Sequence, residues 1–123
     1  MKTAVLAVAL ALIIAACNAS ASQPGGLSAA SSGVCDAISV LPDASLAERA
    51  FTNRAHDALH TLAGDPRLDR ALAADLLEAM LRVEEDIARS ADARALGGGL
   101  AALHVAADAA LAALGEDVPA CDS

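Results

Sequence analysis

The sequence predicts an all-α fold, a small antiparallel three-helix bundle with a short N-terminal fourth element and one disulfide. Three observations carry this. Apolar residues recur at helical spacing in three stretches, which is the pattern of helices with one buried face. Glycine, proline and capping residues separate those stretches, and the link at Gly64-Asp65-Pro66 is so short that the second helix must fold back on the first. Cys35 and Cys121 bracket nearly all of this periodicity, an even pair that reads as one cross-link.

In chain order, Val34, Ile38 and Leu41 stand at i, i+4 and i+7 just ahead of Pro42 and make a helical turn or two. The first long helix starts at Ser45, with Glu48 completing a capping box. Ala47, Phe51, Ala55, Ala58 and Leu62 form its apolar stripe with Leu59 alongside, and Gly64 ends it as a left-handed residue. Asp65-Pro66 restarts the chain as a side-chain cap and a first-turn proline. The second helix, 66–90, buries Leu68, Leu72, Leu76, Met80, Val83 and Ile87. Leu77 and Leu81 widen its apolar surface, and Val34, Ile38 and Leu41 are the expected cover. The third helix, 100–114, carries Leu100, Leu103, Ala107, Leu111 and Leu114, and Gly115 stops it. Gly97-Gly98-Gly99 is expected to be a loop or frayed start, since each glycine inside a helix costs about 1 kcal/mol against alanine. Ser90 and Asp92 are earlier cap positions.

Three antiparallel helices place the start of the first and the end of the third at opposite poles. A first helix of 45–62 is roughly 27 Å long. For Cys35 to meet Cys121, the segment 34–42 must run back along the bundle, or the tail 116–121 must return, or both. The core is alanine-rich with one aromatic, Phe51. Alanines let helices approach closely but bury little area, so the cross-link carries much of the stability.

The N-terminus is of a different kind. Lys2 precedes an uncharged apolar run, Ala4 to Ala16, too short to span a bilayer core and typical of a secretory signal. Ile14-Ala15-Ala16-Cys17 resembles the lipobox of bacterial lipoproteins. The resemblance implies cleavage before Cys17 and attachment of lipid to its sulfur, with several acyl chains making the anchor effectively permanent. Ala19-Ser20-Ala21 also fits an ordinary cleavage site, which leads to a soluble secreted protein. The organisation expected is a signal at 1–16, a lipidated Cys17 with a flexible Gly/Ser/Ala tether to residue 33, and a helical domain at 34–123. The location expected is the bacterial envelope, on the outer side of the cytoplasmic membrane, in the periplasm or at the outer membrane. That compartment is oxidising, which favours the Cys35–Cys121 disulfide.

Lys2 is the only lysine, so beyond the signal seven arginines face 16 acidic residues. This excludes a basic nucleic-acid footprint, and anionic lipid repels the body, leaving the membrane to be reached through the anchor. The absence of Trp and Tyr removes stacking platforms for sugars or single strands. No serine stands in a nucleophile elbow, and the glycine run lacks the strand and lysine of a phosphate loop. Glu84-Glu85-Asp86 reads as a solvated face, with Glu78–Arg82 and Glu85–Arg89 as helical pairs.

One motif carries chemistry. His56-Asp57-Ala58-Leu59-His60 places two histidines at i, i+4 and resembles the HExxH pattern of zinc proteases, with Asp in place of Glu. Both rings are expected to face solvent, away from the Phe51 stripe. His104 and Asp108, one turn apart on the third helix, are the candidates to complete a zinc site. The reading is a non-enzymatic, lipid-anchored interaction or structural module without a cofactor, with zinc binding as the alternative and a protein as the possible partner.

Overall fold

A computed structural model describes residues 26–121, and within them an all-α fold of four helices. A 3-10 turn, Gly26–Ser28, leads into α1, Ala29–Ser39. Helix α2 spans 44–63 in three consecutive pieces, α-helical Ala44–Ala50, a π turn at Phe51–Ala55, and α-helical His56–Ala63. Helices α3, Arg70–Ala88, and α4, Ala93–Ala113, complete the bundle. Helices α1 and α3 occupy opposite corners, and each packs against both α2 and α4. The signal, Cys17 and the first part of the tether lie outside the described residues.

The fourth element is larger than expected, and the domain begins before residue 34. Residues 29–33 are the first turns of α1, with Ala30, Ser31 and Gly33 buried. Small residues read as a linker because alone they bury too little to hold a helix. Here they let α1 lie directly on the backbone of α2. A methyl group on Gly33 would stand 2.5 Å from the Arg54 carbonyl oxygen and 2.7 Å from the Ala55 Cα. Only a residue without Cβ permits that contact.

Asp43, not Ser45, caps α2, its carboxylate accepting from the Leu46 N–H at 3.0 Å. The π turn is closed by the His56 N–H donating to the Phe51 carbonyl, an i→i+5 bond that adds one residue to the turn. Four-residue steps therefore stay on one face: Ala47, Phe51, Ala55 and Leu59 are buried, then Leu62. In a regular helix Ala58 takes that place; the added residue gives it to Leu59.

Gly64 ends α2 with φ −88°, in right-handed rather than left-handed conformation. Nor does Asp65-Pro66 open α3. Asp65 instead holds a short turn, accepting from the Arg67 N–H at 2.9 Å and its guanidinium at 2.9 and 3.1 Å. Those hydrogen bonds hold the Asp65 carboxyl below its ordinary value. The resulting stabilisation is present at neutral pH and lost as pH falls through the lowered value. The cap of α3 is Asp69, which accepts from the Ala71 N–H at 2.8 Å.

Leu68, Leu76, Met80 and Val83 enter the core as expected, and Leu72 and Ile87 pack at its margin. The cover expected for Leu77 and Leu81 does not form. Helix α1 lies at the opposite corner, Val34 fills the centre of the core, and the two leucines remain 44% and 54% exposed.

The glycine run lies inside α4, whose cap is Asp92, accepting from the Ala95 N–H at 2.9 Å. Packing explains part of the helical cost. A Cβ on Gly99 would lie 3.1 Å from Asp86 Oδ2 and 3.4 Å from Val83 Cγ2, so α3 and α4 meet closely there. Gly98 faces open space. Gly98→Ala is therefore expected to stabilise the protein by about 0.5–1 kcal/mol, read as a higher denaturation midpoint, through helix propensity alone. An unchanged or lower midpoint counts against this placement of the glycines.

By length and composition α4 is apolar enough to cross a membrane, yet here it is a core helix, with Leu96, Gly99, Leu100, Leu103, Ala107, Ala110 and Leu111 buried. Helices α3 and α4 both close with paired backbone bonds of the Schellman type. The Ala91 and Glu116 N–H groups reach back to Asp86 and Leu111, with Ser90 (φ 53°) and Gly115 (φ 71°) in left-handed conformation. Beyond Gly115 the tail returns along α4. Cys121 reaches His104 and is bonded to Cys35, with Cα atoms 5.1 Å apart. Both routes to closure are thus used: α1 runs back along the bundle, and the tail doubles over the last turns of α4.

Candidate functional site

Two clusters of chemically capable side chains emerge, and they divide the histidines differently from the sequence expectation. The first sits where the second half of α2 meets α3. His56 follows the π turn, which brings it back over Phe51, with ring centroids 5.9 Å apart in an edge-on contact. Its ring is thus partly enclosed rather than turned to solvent, and only His60 is fully on the exposed side. The two imidazoles stand edge-on with centroids 4.6 Å apart. His56 Nδ1 lies 3.4 Å from the Asp57 carboxylate, and His56 Nε2 lies 3.5 Å from Glu84 Oε1 on α3. One nitrogen of each imidazole and one Glu84 oxygen fall within 4.8 Å of one another.

The second cluster ties three parts of the chain together. Ser31, fully buried on α1, donates its hydroxyl to Asp108 Oδ1 at 2.6 Å. Asp108 Oδ2 lies 3.3 Å from His104 Nε2, one turn earlier on α4. The same nitrogen lies 3.3 Å from Cys121 Sγ. These are the residue types of a serine-hydrolase triad in the wrong order. The hydroxyl donates a hydrogen bond to the carboxylate, no imidazole accepts from it, and it is closed to substrate, so nothing activates it as a nucleophile. What the cluster does is mechanical. A charge-assisted hydrogen bond and a disulfide fasten α1 and the tail to α4 within a few residues.

His104 and Asp108 therefore do not join His56 and His60. The disulfide and Ser31 occupy them, and Glu84 takes the third position beside the histidine pair. Glu84 belongs to the run expected to be a solvated face, and that face is only partly solvated. Glu84 is half-buried, and Asp86 is 5% exposed, accepting from the Arg89 guanidinium at 2.6 Å. Arg89 pairs with Asp86 instead of Glu85. The sequence held a signal for this: Glu84 is one turn beyond Met80 and beside Val83, at the edge of the buried stripe. Cys17, the expected lipidation site, lies outside the described residues.

The described surface also carries a shallow groove along α3 and α4, lined by Asp75, Glu78, Ala79, Leu81, Arg82 and Ala102 among others. No family model, curated protein or solved structure matches this chain significantly.

Proposed function

We propose that this is a lipid-anchored protein of the bacterial envelope whose helical body acts through protein contacts and performs no catalysis. The observation that carries the reading is the Ile14-Ala15-Ala16-Cys17 sequence at the end of an uncharged apolar run. Gly26–Ser28 packs against the His56–Ala63 half of α2, and the Ser28 hydroxyl donates to the carbonyl of Asp117, in the tail beyond α4, at 2.7 Å. The α2–α3 turn shares this pole, Arg67 standing 3.9 Å from Glu116. Cys17 is nine residues from Gly26, a covalent reach of at most about 30 Å. A lipid on Cys17 therefore keeps this pole within that distance of the membrane. Asp65, Glu116 and Asp117 gather there around the single guanidinium of Arg67. That balance disfavours contact with anionic lipid and holds the body off the surface. Leu77 and Leu81, beside the groove on α3, are left free to meet another protein.

Membrane fractionation with intact-mass measurement tests the anchor. The expected result is a lipid mass on a chain beginning at Cys17, and Cys17→Ser moves the protein to the soluble fraction with the melting temperature of the body unchanged. A chain starting at Ser22 and free in culture fluid overturns it. A photo-crosslinker at position 81 in intact cells is expected to give a discrete adduct absent from a crosslinker at Ser45; failure at both leaves a structural role only.

A further inference from the structure

We propose that His56, His60 and Glu84 form a binding site for one divalent transition-metal ion of the zinc or copper type. The inference is independent of the lipid anchor. Two imidazoles and one carboxylate are a donor set suited to Zn²⁺, Cu²⁺ or Ni²⁺, and a poor one for Ca²⁺ or Mg²⁺, which take mainly oxygen ligands.

The geometry is close to that of a bound state. Ligands 2.0–2.1 Å from a tetrahedral ion stand roughly 3.3 Å from one another. His56 Nε2 and Glu84 Oε1 are already 3.5 Å apart, and all three donor atoms lie within 4.8 Å. The histidines come from one helix and the carboxylate from another, so the backbone spacing is set by the packing of α2 on α3.

Two further features point the same way. The π turn that ends at Ala55 is a departure from regular helix of a kind found mostly at functional sites. Here it returns His56 over Phe51 and directs its Nε2 at α3, where a regular helix carries it toward solvent. Asp57 lies beside the opposite ring nitrogen, Nδ1, the place of the carboxylate that orients metal-bound histidines. Three protein ligands on a half-exposed face leave one coordination position for water or a small anion. His104 cannot contribute while Cys121 and Asp108 hold it.

The test is calorimetric titration with Zn²⁺ at pH 7.5. It uses the chain without its signal, free of any histidine tag, with the Cys35–Cys121 bond closed and Cys17 replaced by serine. One ion per chain is expected. His56→Ala and His60→Ala each weaken binding by about tenfold or more, Glu84→Gln does so by about tenfold, and His104→Ala changes nothing. Should His56→Ala melt at a lower temperature through its contact with Phe51, His60→Ala on the exposed side decides the matter. No binding, or binding that survives the histidine replacements, overturns the site. Wild-type affinity in Glu84→Gln reduces it to a bare helical histidine pair and overturns it equally.

Discussion

Cys35→Ser with Cys121→Ser is expected to remove about 4 kcal/mol of stability and to lower the melting temperature by on the order of 20 °C. The bond joins positions 86 residues apart. Opening a loop of that length returns roughly 4–5 kcal/mol of chain entropy to the unfolded state, and measured values commonly fall short of this. A domain of this size has about 5–15 kcal/mol in all. Its margin is thin, because six of the 18 buried apolar positions among the described residues are alanine and bury little area each. The loss is local as well as global. Helix α1 and the tail keep the Ser31–Asp108 and Ser28–Asp117 hydrogen bonds but lose their covalent tie. Amide exchange should therefore accelerate first in α1 and last in the α3–α4 pair. Denaturant unfolding of the double variant, and of the wild type with and without a dithiol reductant, measures the effect. Coincident midpoints would show that the bond sits in the structure without supporting it.

Gly33→Ala is expected to cost about 2–4 kcal/mol even though alanine is the better helix former. The new methyl group meets backbone at 2.5 and 2.7 Å, at Arg54 and Ala55, where no side chain can rotate aside. Relief requires α1 to move off α2. Cys35 lies two residues further on and is bonded to the tail, and Ser31 lies two residues back and is bonded to Asp108, so α1 is held on both sides of the clash. Strain of this kind outweighs the roughly 1 kcal/mol gained in helix propensity. Gly98→Ala is the matched control, the same substitution inside a helix at a site with no neighbour within 4 Å. If both alanine variants melt alike, the close contact of α1 with the π turn is not real.

The long elements were legible because each rests on a local rule. Leu100, Leu103, Ala107 and Leu111 make a stripe whose period is that of a helix whatever surrounds it, and Gly115 marks its end by a backbone conformation few other residues accept. Caps were less legible. Asp43 and Ser45 can both serve as the first residue, as can Asp65 and Asp69, and which of them turns its oxygen onto the helix depends on where neighbouring turns direct the chain. The candidate site was half legible. The spacing of His56 and His60 is a matter of sequence, whereas the partner across the helix interface is not.

By itself, the order of residues determined the helical class, the three strong apolar stripes, the reversals between them and the pairing of Cys35 with Cys121. These follow from interactions within a few residues, or from counting. Only the tertiary structure decided that Ala29–Ser39 is a full helix, that α2 holds a π turn, and that Glu84 rather than His104 stands beside the histidine pair. Each depends on how closely two backbones approach. That distance is set by the absence of side chains, at Gly33 and Gly99, as much as by their presence, and a missing side chain leaves no periodic trace along the chain.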